Sequence, residues 1–412
     1  MNISVFSHYF TPEIGAPSAR IFDMSQQWVK ADHKVEVVTC FPNHPMGEIY
    51  PGYQGGSYQL EEMNDLRVHR NWTYITPNKG FIKKSLGHLS FLYSARWHSI
   101  DKLNKPDVAM GTSPTFFAAM AAAKAARRYR IPFIMEVRDL WPACFVDLGV
   151  LKQPLLIKLL EKWELSLYRQ ADRVVTVTES FREDLISRGV PPEKVATIYN
   201  GADEDFWQPQ DPPADLQKKH GVDGKFVVLY IGAHGISQAL GRVVEAADKV
   251  KDTKDIHFLF VGEGAEKEQL TQQAKQLGLD NITFVDPVGK DEVKAYYALA
   301  DVCLVPLRNI PLFKTFIPSK MFEMMAMEKP ILASLEGEAA DILNDSGAAM
   351  VVPPEDSQAL AEKLRALHGD PTGLADMGKA GRKFVIEKFS RRTLAAKYAQ
   401  IMAEAIAEKG GR

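Results

Sequence analysis

Short runs rich in β-branched residues alternate, along most of the chain, with stretches whose apolar positions recur every three or four residues. The runs predict strands at Ile3–Ser7, Val35–Thr39, Arg67–Arg70, Val108–Gly111, Phe133–Val137, Arg173–Thr178 and Val195–Ile198. A second set follows at Val227–Ile231, His257–Val261, Ile282–Val285, Val302–Val305 and Ile331–Ala333. Helical spacing predicts helices at Ala19–Lys30, Phe116–Tyr129, Leu155–Gln170, Leu240–Lys249, Ala265–Leu277 and Asp291–Leu299. Such alternation implies an α/β protein with doubly wound parallel sheets and helices on both faces. The pattern restarts near residue 225, after the polar, proline-containing stretch Gln208–Ala214, which reads as a linker. Two Rossmann-like domains are therefore expected, at 1–205 and 206–389, with a last helical segment within 390–412 that no strand follows.

Composition narrows the class. With 412 residues, 46% apolar and 25% charged, the chain is long enough for two domains with sizeable cores. No apolar run approaches the roughly 18 residues of a membrane-spanning helix, and the first residues read as a strand, so a cytoplasmic location is expected. Cys40, Cys144 and Cys303 are far apart in apolar surroundings and read as reduced core residues, not as a metal site or a disulfide framework. Net charge is only −2, yet residues 77–130 hold 10 basic and 2 acidic side chains. Lys79, Lys83, Lys84 and Arg96 lie there beside Phe81, Phe91, Tyr93 and Trp97. That mixture suits an interfacial membrane helix, and equally a packed helix with a solvated basic face. Nucleic acid is not an expected partner, because no DNA- or RNA-reading motif is present.

In open α/β sheets ligands bind beyond the carboxyl ends of strands, so the loops there carry the chemistry. After the first strand, Gly15, Ala16 and Ser18 precede a helix and allow close backbone approach. Gly232-Ala233-His234-Gly235 opens the second half as a phosphate-loop candidate; it is neither a dinucleotide fingerprint nor a Walker loop, which argues against NAD and against a P-loop ATPase. Glu263, within Val261–Gly264, and Pro287-Val288 end the next two strands. Pro318-Ser319 open a helix whose first turn carries Lys320 and Glu323. Free N–H groups with a lysine suit a diphosphate, and a carboxylate one turn on can accept two hydrogen bonds from a ribose diol. The bland reading is an amphipathic helix with two solvated charges. Glu136-Val137-Arg138-Asp139-Leu140-Trp141-Pro142 ends an apolar strand on charge, either as a bracing ion-pair cluster or with Asp139 at an acceptor hydroxyl and Arg138 near phosphate.

Together these loops, with Tyr9…Pro12…Gly15 and Asn200-Gly201-Ala202-Asp203, resemble the GT-B glycosyltransferases of family 4, especially the bacterial branch that builds O-antigen, colanic-acid-like and capsular polysaccharides. The resemblance covers essentially the whole chain. It implies two domains facing a central cleft, a UDP-sugar donor, a polyprenyl-diphosphate-linked acceptor at the inner face of the cytoplasmic membrane, retention of configuration and no metal ion. It also implies that the last helix crosses back onto the N-terminal domain. Carried over, it gives Glu323 the ribose, and Lys320, Ser319, Pro318 and the Gly232–Gly235 loop the diphosphate. Glu263 and Val288 fall near the base, and Gly15 with Ala16 caps the diphosphate. Two positions depart from the family pattern: Thr315 stands where a first glutamate is usual, and Arg138 where many members carry histidine. Lys320, Arg308 and His234, in that order, are the expected cations for the diphosphate. The competing readings are a GT-B epimerase or hydrolase and a nucleotide-sugar-binding scaffold without activity.

Overall fold

The computed structural model describes the chain except residues 14, 45–46, 54, 76–80, 144–145, 147–148, 150 and 412 and the side chains of residues 81, 82, 84 and 371. Cys144 and Lys79 lie outside the described residues, as does the side chain of Lys84. Cys40 and Cys303 are free and buried. The chain forms two compact units, residues 1–200 with 391–412 and residues 201–390.

The first unit contains an eight-stranded sheet in the order β3-β4-β2-β1-β5-β6-β7-β8. Its strands are β1 (Asn2–Phe6), β2 (Lys34–Cys40), β3 (Tyr58–Met63), β4 (Leu66–Asn71), β5 (Val108–Thr112), β6 (Phe133–Val137), β7 (Arg173–Thr176) and β8 (Val195–Thr197). The sheet is not wholly parallel: β3 runs antiparallel to β4, with Met63 opposite Leu66. Asn64 and Asp65 both take positive φ, 50° and 61°, which is what a two-residue hairpin turn of the right twist demands. Glu61 and Glu62, on opposite faces, put a charge on each side of this edge strand, which discourages further pairing. Strand β7 stops at Thr176, two residues before the predicted end, because the Thr178 hydroxyl caps the next helix by accepting from Phe181 N at 3.0 Å.

Helices α1 (Ala16–Lys30), α2 (Phe81–His98), α3 (Phe116–Tyr129), α4 (Pro154–Gln170) and α5 (Glu179–Ser187) lie between these strands in sequence. The terminal helix, Arg391–Gly410, belongs to this unit. Leu394, Ala395, Tyr398, Met402 and Ala405 recur at helical spacing and join the core cluster built on Ile3, Val37 and Met110. Trp28 Nε1 donates to Ala395 O at 3.0 Å, and Arg391 Nη1 lies 2.7 Å from Asp23 Oδ2.

The second unit holds a wholly parallel sheet in the order β11-β10-β9-β12-β13-β14. Its strands are β9 (Phe226–Ile231), β10 (Ile256–Val261), β11 (Ile282–Val285), β12 (Val302–Pro306), β13 (Ile331–Ser334) and β14 (Ala349–Val352). This is the Rossmann order, and the strand direction of succession reverses between β9 and β12. In chain order its helices are α6 (Ala214–His220), α7 (Leu240–Lys249), α8 (Lys267–Gln276), α9 (Lys290–Leu299), α10 (Lys320–Ala326), α11 (Glu338–Ser346), α12 (Ser357–His368) and α13 (Pro371–Phe389). The predicted linker is part of this unit. Trp207, immediately before it, is buried, its ring centroid 5.6 Å from that of Tyr297, and Ala202 N donates to Phe389 O at 3.0 Å. The crossover therefore falls after Asn200, five residues earlier than the expected boundary.

Candidate active site

In the second unit, the point where strand succession reverses brings together the ends of β9 and β12, the place at which such sheets bind ligands. Strand β9 runs straight into Gly232, whose φ is +144°, and β10 into Gly262, at +142°. The two loops press backbone on backbone. A Cβ at Gly262 would lie 2.0 Å from Gly232 O, and one at Gly264 would lie 2.3 Å from His234 O. Only glycine fits these positions. Hydrogen bonds from His234 N to Glu263 O and from Glu266 N to His234 O, each 2.9 Å, lock the loops together. Gly235 then leads into a short turn at Ile236–Gln238.

Lys320 opens α10 and reaches back over this loop. Its Nζ sits 3.9 Å above the centroid of the Tyr230 ring and 3.4 Å from Ile231 O, and a Cβ on Gly232 would come within 3.5 Å of it. Tyr230 is fixed in turn by its hydroxyl, which donates to Ala233 O at 2.6 Å. Burial drags the Lys320 ammonium down to about 7, against the opposing pull of Cys303 and Glu323. Ser319 precedes the helix with backbone already helical, and its side chain makes no capping bond; Pro318 is half-buried beside it. One turn on, Glu323 accepts from Tyr297 Oη at 3.2 Å, and burial together with that carboxylate pushes the Tyr297 phenol well above its usual range. Lys320 and Glu323 thus stand on one face of one short helix at the reversal point, a cation by the glycine loop and a carboxylate beside it.

His234 is placed otherwise than expected. Its ring is 0% exposed, with ring centroids of Tyr230, Phe260 and Phe284 at 5.7, 6.2 and 6.4 Å, and neither nitrogen has a hydrogen-bond partner among the described residues. Burial pulls its pKa to about 4, which favours the neutral ring over the cation expected here, while its backbone belongs to the loop. Arg308 lies at the end of β12, where its N–H donates to Ser237 O at 2.9 Å and its Nε is 3.7 Å from Glu355 Oε1. Glu263 is exposed and held by Gly264 N at 3.1 Å and Lys267 Nζ at 3.2 Å. Lys267, which sequence reasoning missed, also reaches Asp286 Oδ1 at 2.8 Å, tying the loops after β10 and β11. Val288 is half-buried in the second of these. Thr315 turns its hydroxyl to Leu312 O at 2.7 Å, closing the turn Pro311–Thr315, while Gly337 packs so closely that a Cβ there would be 2.0 Å from Lys314 O.

The first unit has its own group at the carboxyl edge. Glu136, at the end of β6, does not pair with Arg138. Its partner is Arg20 of α1, with Nε and Nη2 at 3.0 and 2.9 Å from Oε1, while Thr112 Oγ1 donates to Oε2 at 2.8 Å. The Ser113 hydroxyl accepts from the backbone N–H of both Arg138 and Asp139, at 2.7 and 3.2 Å. Arg138 Nε and Nη1 are buried without a hydrogen-bond partner among the described residues, and burial lowers this guanidinium to about 10. Burial raises Asp139 to about 6, against the pull of Arg138. The braced ion-pair reading of this segment therefore applies to Glu136 and Arg20, leaving Arg138 and Asp139 outside it. Gly15, with φ +151°, precedes α1, and Ala16 is exposed at its start. Neither Arg20 nor Ser113 stands out in sequence, since each acts through a fold contact.

The basic, aromatic segment forms α2, with Lys83, Arg96 and Trp97 exposed and the Arg96 guanidinium 5.3 Å from the Trp97 ring centroid. Among the described residues no helix is long and apolar enough to cross a membrane.

Residues 15–201 match the model of the glycosyl transferase 4-like domain, and residues 225–370 that of glycosyl transferases group 1. The putative colanic acid biosynthesis glycosyl transferase WcaI of Escherichia coli K12 is 26% identical over 375 residues, 89% of this chain and 91% of WcaI. Among solved structures, sucrose-phosphate synthase from Thermosynechococcus elongatus superposes with a TM-score of 0.78 at 18% identity, over 99% of this chain and all of that one. Anabaena HepE in complex with UDP and glucose gives 0.73 at 18% identity, over 98% and 99%. With its two successive domains matched and its fold shared end to end, the chain belongs to the GT-B glycosyltransferases of family 4.

Proposed function

We propose that this glycosyltransferase moves a hexose or N-acetylhexosamine, N-acetylfucosamine among the candidates, from a UDP-sugar to a polyprenyl-diphosphate-linked saccharide during surface-polysaccharide synthesis. One observation carries the donor half: Lys320 and Glu323 stand one turn apart on α10, with the Lys320 ammonium over the Gly232 loop. A diphosphate on that loop would meet the ammonium, and the ribose diol would meet the carboxylate. The UDP bound to HepE and the colanic acid assignment of WcaI support the nucleotide and the pathway class. In the unit carrying β1–β8, Asp139 at the end of β6 is the acceptor-side group and the Arg138 guanidinium the phosphate-side one.

The reaction is front-face transfer with retention. The acceptor oxygen bonds to the anomeric carbon as the bond to the diphosphate breaks, and the hydroxyl proton passes to a leaving phosphate oxygen. Charge on the departing diphosphate is what the protein must stabilise, which falls to Lys320 with Arg308 in support. No metal ion takes part in this scheme, so EDTA is expected to leave turnover unchanged. Lys83, Arg96 and Trp97 would place the enzyme at the inner face of the cytoplasmic membrane as a peripheral protein.

A thermal-shift series with UDP, GDP, ADP and TDP tests the donor reading. A UDP-selective rise in Tm that vanishes in Glu323→Ala is expected, since a ligand bound only to the folded state stabilises it by RT ln(1 + [L]/Kd). No shift with any nucleotide would overturn it in favour of an inactive scaffold. Free or isomerised sugar formed without acceptor would overturn it in favour of a hydrolase or epimerase.

A further inference from the structure

A cavity of about 480 Å³ opens between α2, α3 and α4, and none of the residues assigned above to donor or acceptor lines it. Leu89, Leu92, Phe117, Met120 and Trp163 form its apolar wall. Two of its aromatic lining residues stand open to solvent, Tyr93 55% and Trp163 45% exposed. Patches of this kind on a polar surface mark an interaction site. The same cavity is bordered by Arg96, Lys124 and Arg127. None of the three is ion-paired with a carboxylate among the described residues, although Arg128 next in sequence pairs with Asp101. Burial first, and then the neighbouring charges of Arg96 and Arg127, pull Lys124 below its ordinary value. Across α2, α3 and α4 the sequence places nine Lys or Arg against two Glu, and one of those, Glu164, is paired with Arg188.

Direction follows from the topology. Strands β4, β2, β1, β5, β6 and β7 are parallel, so α2, α3 and α4 each run from the carboxyl edge of the sheet back to its amino edge. Arg96 and Arg127 sit in the last turns of α2 and α3, with Lys124 one turn earlier on α3; Leu89, Phe117 and Met120 sit upstream. The cations therefore occupy the amino-edge end of the cavity. We propose that this cavity holds one acyl chain of an anionic bilayer phospholipid, with its phosphate seated on Arg96, Lys124 and Arg127. The prenyl chain of the acceptor is the poorer occupant, because its diphosphate, held near Asp139 at the carboxyl edge, would lie at the uncharged end. The inference rests on the reading that this unit works at a membrane surface, and it adds a discrete lipid site to that reading.

Dihexanoyl phosphatidylglycerol below its micelle concentration tests the cavity without a bilayer. Native mass spectrometry or titration calorimetry on the full chain should show one site. Binding should be at least about tenfold tighter than for dihexanoyl phosphatidylcholine, with none for glycerol 3-phosphate. Ser166 lines the cavity, so Ser166→Trp should fill it and abolish binding, while Arg96→Glu/Arg127→Glu, both exposed, should weaken it at least tenfold. Equal affinity for the two lipids, or unchanged binding in Ser166→Trp, would overturn the proposal, as would farnesyl diphosphate binding tighter than the phospholipid. Sedimentation with phosphatidylglycerol vesicles separates the two ideas. Vesicle binding without monomer binding overturns the cavity and leaves the membrane reading; monomer binding without vesicle binding does the reverse.

Discussion

The Lys320 ammonium lies 3.9 Å above the Tyr230 ring and donates to Ile231 O at 3.4 Å, so a ring face and a carbonyl, both neutral, stand in for a counter-charge. Among the described residues no carboxylate bonds to it, so its charge is poorly compensated within this unit. A diphosphate would compensate it. Lys320→Ala should therefore lower kcat on the order of 100-fold or more, as removal of a group that stabilises transition-state charge does. Steady-state transfer assays with UDP-sugar check this, and near-normal turnover would take the catalytic role away from Lys320.

The same environment makes UDP binding sensitive to pH. Burial places Lys320 near 7 in the free protein, against an ordinary 10.5, and a bound diphosphate holds the proton. Binding thus takes up a proton once the pH exceeds about 7, and UDP affinity should fall as pH rises, by up to about tenfold per unit. Lys320→Arg, whose guanidinium stays charged, should flatten that slope. The stability of the free protein has the opposite trend. The unfolded chain binds the extra proton between about 7 and 10.5, so the Lys320 contribution to stability increases with pH across that window. Calorimetry at pH 6.5, 7.5 and 8.5 reads both effects.

Gly264 and Gly289 offer a matched pair. A Cβ on Gly264 would lie 2.3 to 2.8 Å from three backbone atoms of His234, whereas one on Gly289 meets nothing within 4 Å. Backbone cannot swing aside as a side-chain tip can, so Gly264→Ala must part the loops after β9 and β10. Overpacking of this kind costs about 1 to 3 kcal/mol. Gly264→Ala should show a lower Tm and weaker UDP binding, and Gly289→Ala should match the wild type in both. Equal behaviour of the two would mean that the loops are not held as tightly as their spacing indicates.

How far the sequence revealed this depends on whether the relevant contacts are local. The apolar runs of β1, β9, β10 and β12 and the turn carrying Lys320 and Glu323 are written in neighbouring residues, and they were legible. Strands β3 and β14 were not among the expected ones: Tyr58–Met63 is a polar edge strand without a β-branched residue, and Ala349–Val352 is four residues long. Its Asn64-Asp65 turn was the one local clue to the β3–β4 hairpin. The burial of the His234 ring was not legible because Phe260 and Phe284, distant in sequence, cover it. Arg20 and Glu136 meet across 116 positions, a distance at which no spacing argument operates.

That last pair gives the prediction most independent of the chemistry. Arg20 and Glu136 side chains are 2% and 0% exposed, and Arg20 Nη1 and Nη2 also donate to Tyr199 O at 2.8 Å and Ile198 O at 3.0 Å. The bridge therefore fastens α1 to the end of β6 and to the segment that closes the unit after β8. Removing one charge leaves the other buried and uncompensated, a loss of about 3 to 5 kcal/mol, whereas replacing both with apolar groups of similar volume is often far milder. Glu136→Gln should unfold at markedly lower denaturant than the wild type. The double variant Arg20→Met/Glu136→Met should be less destabilised than the two single substitutions together, since the sites are in contact and not additive. Kd for UDP should stay within about twofold, because the residues proposed for the base, ribose and most of the diphosphate lie in the other unit. Full stability with transfer abolished would instead move Glu136 from the scaffold into the reaction.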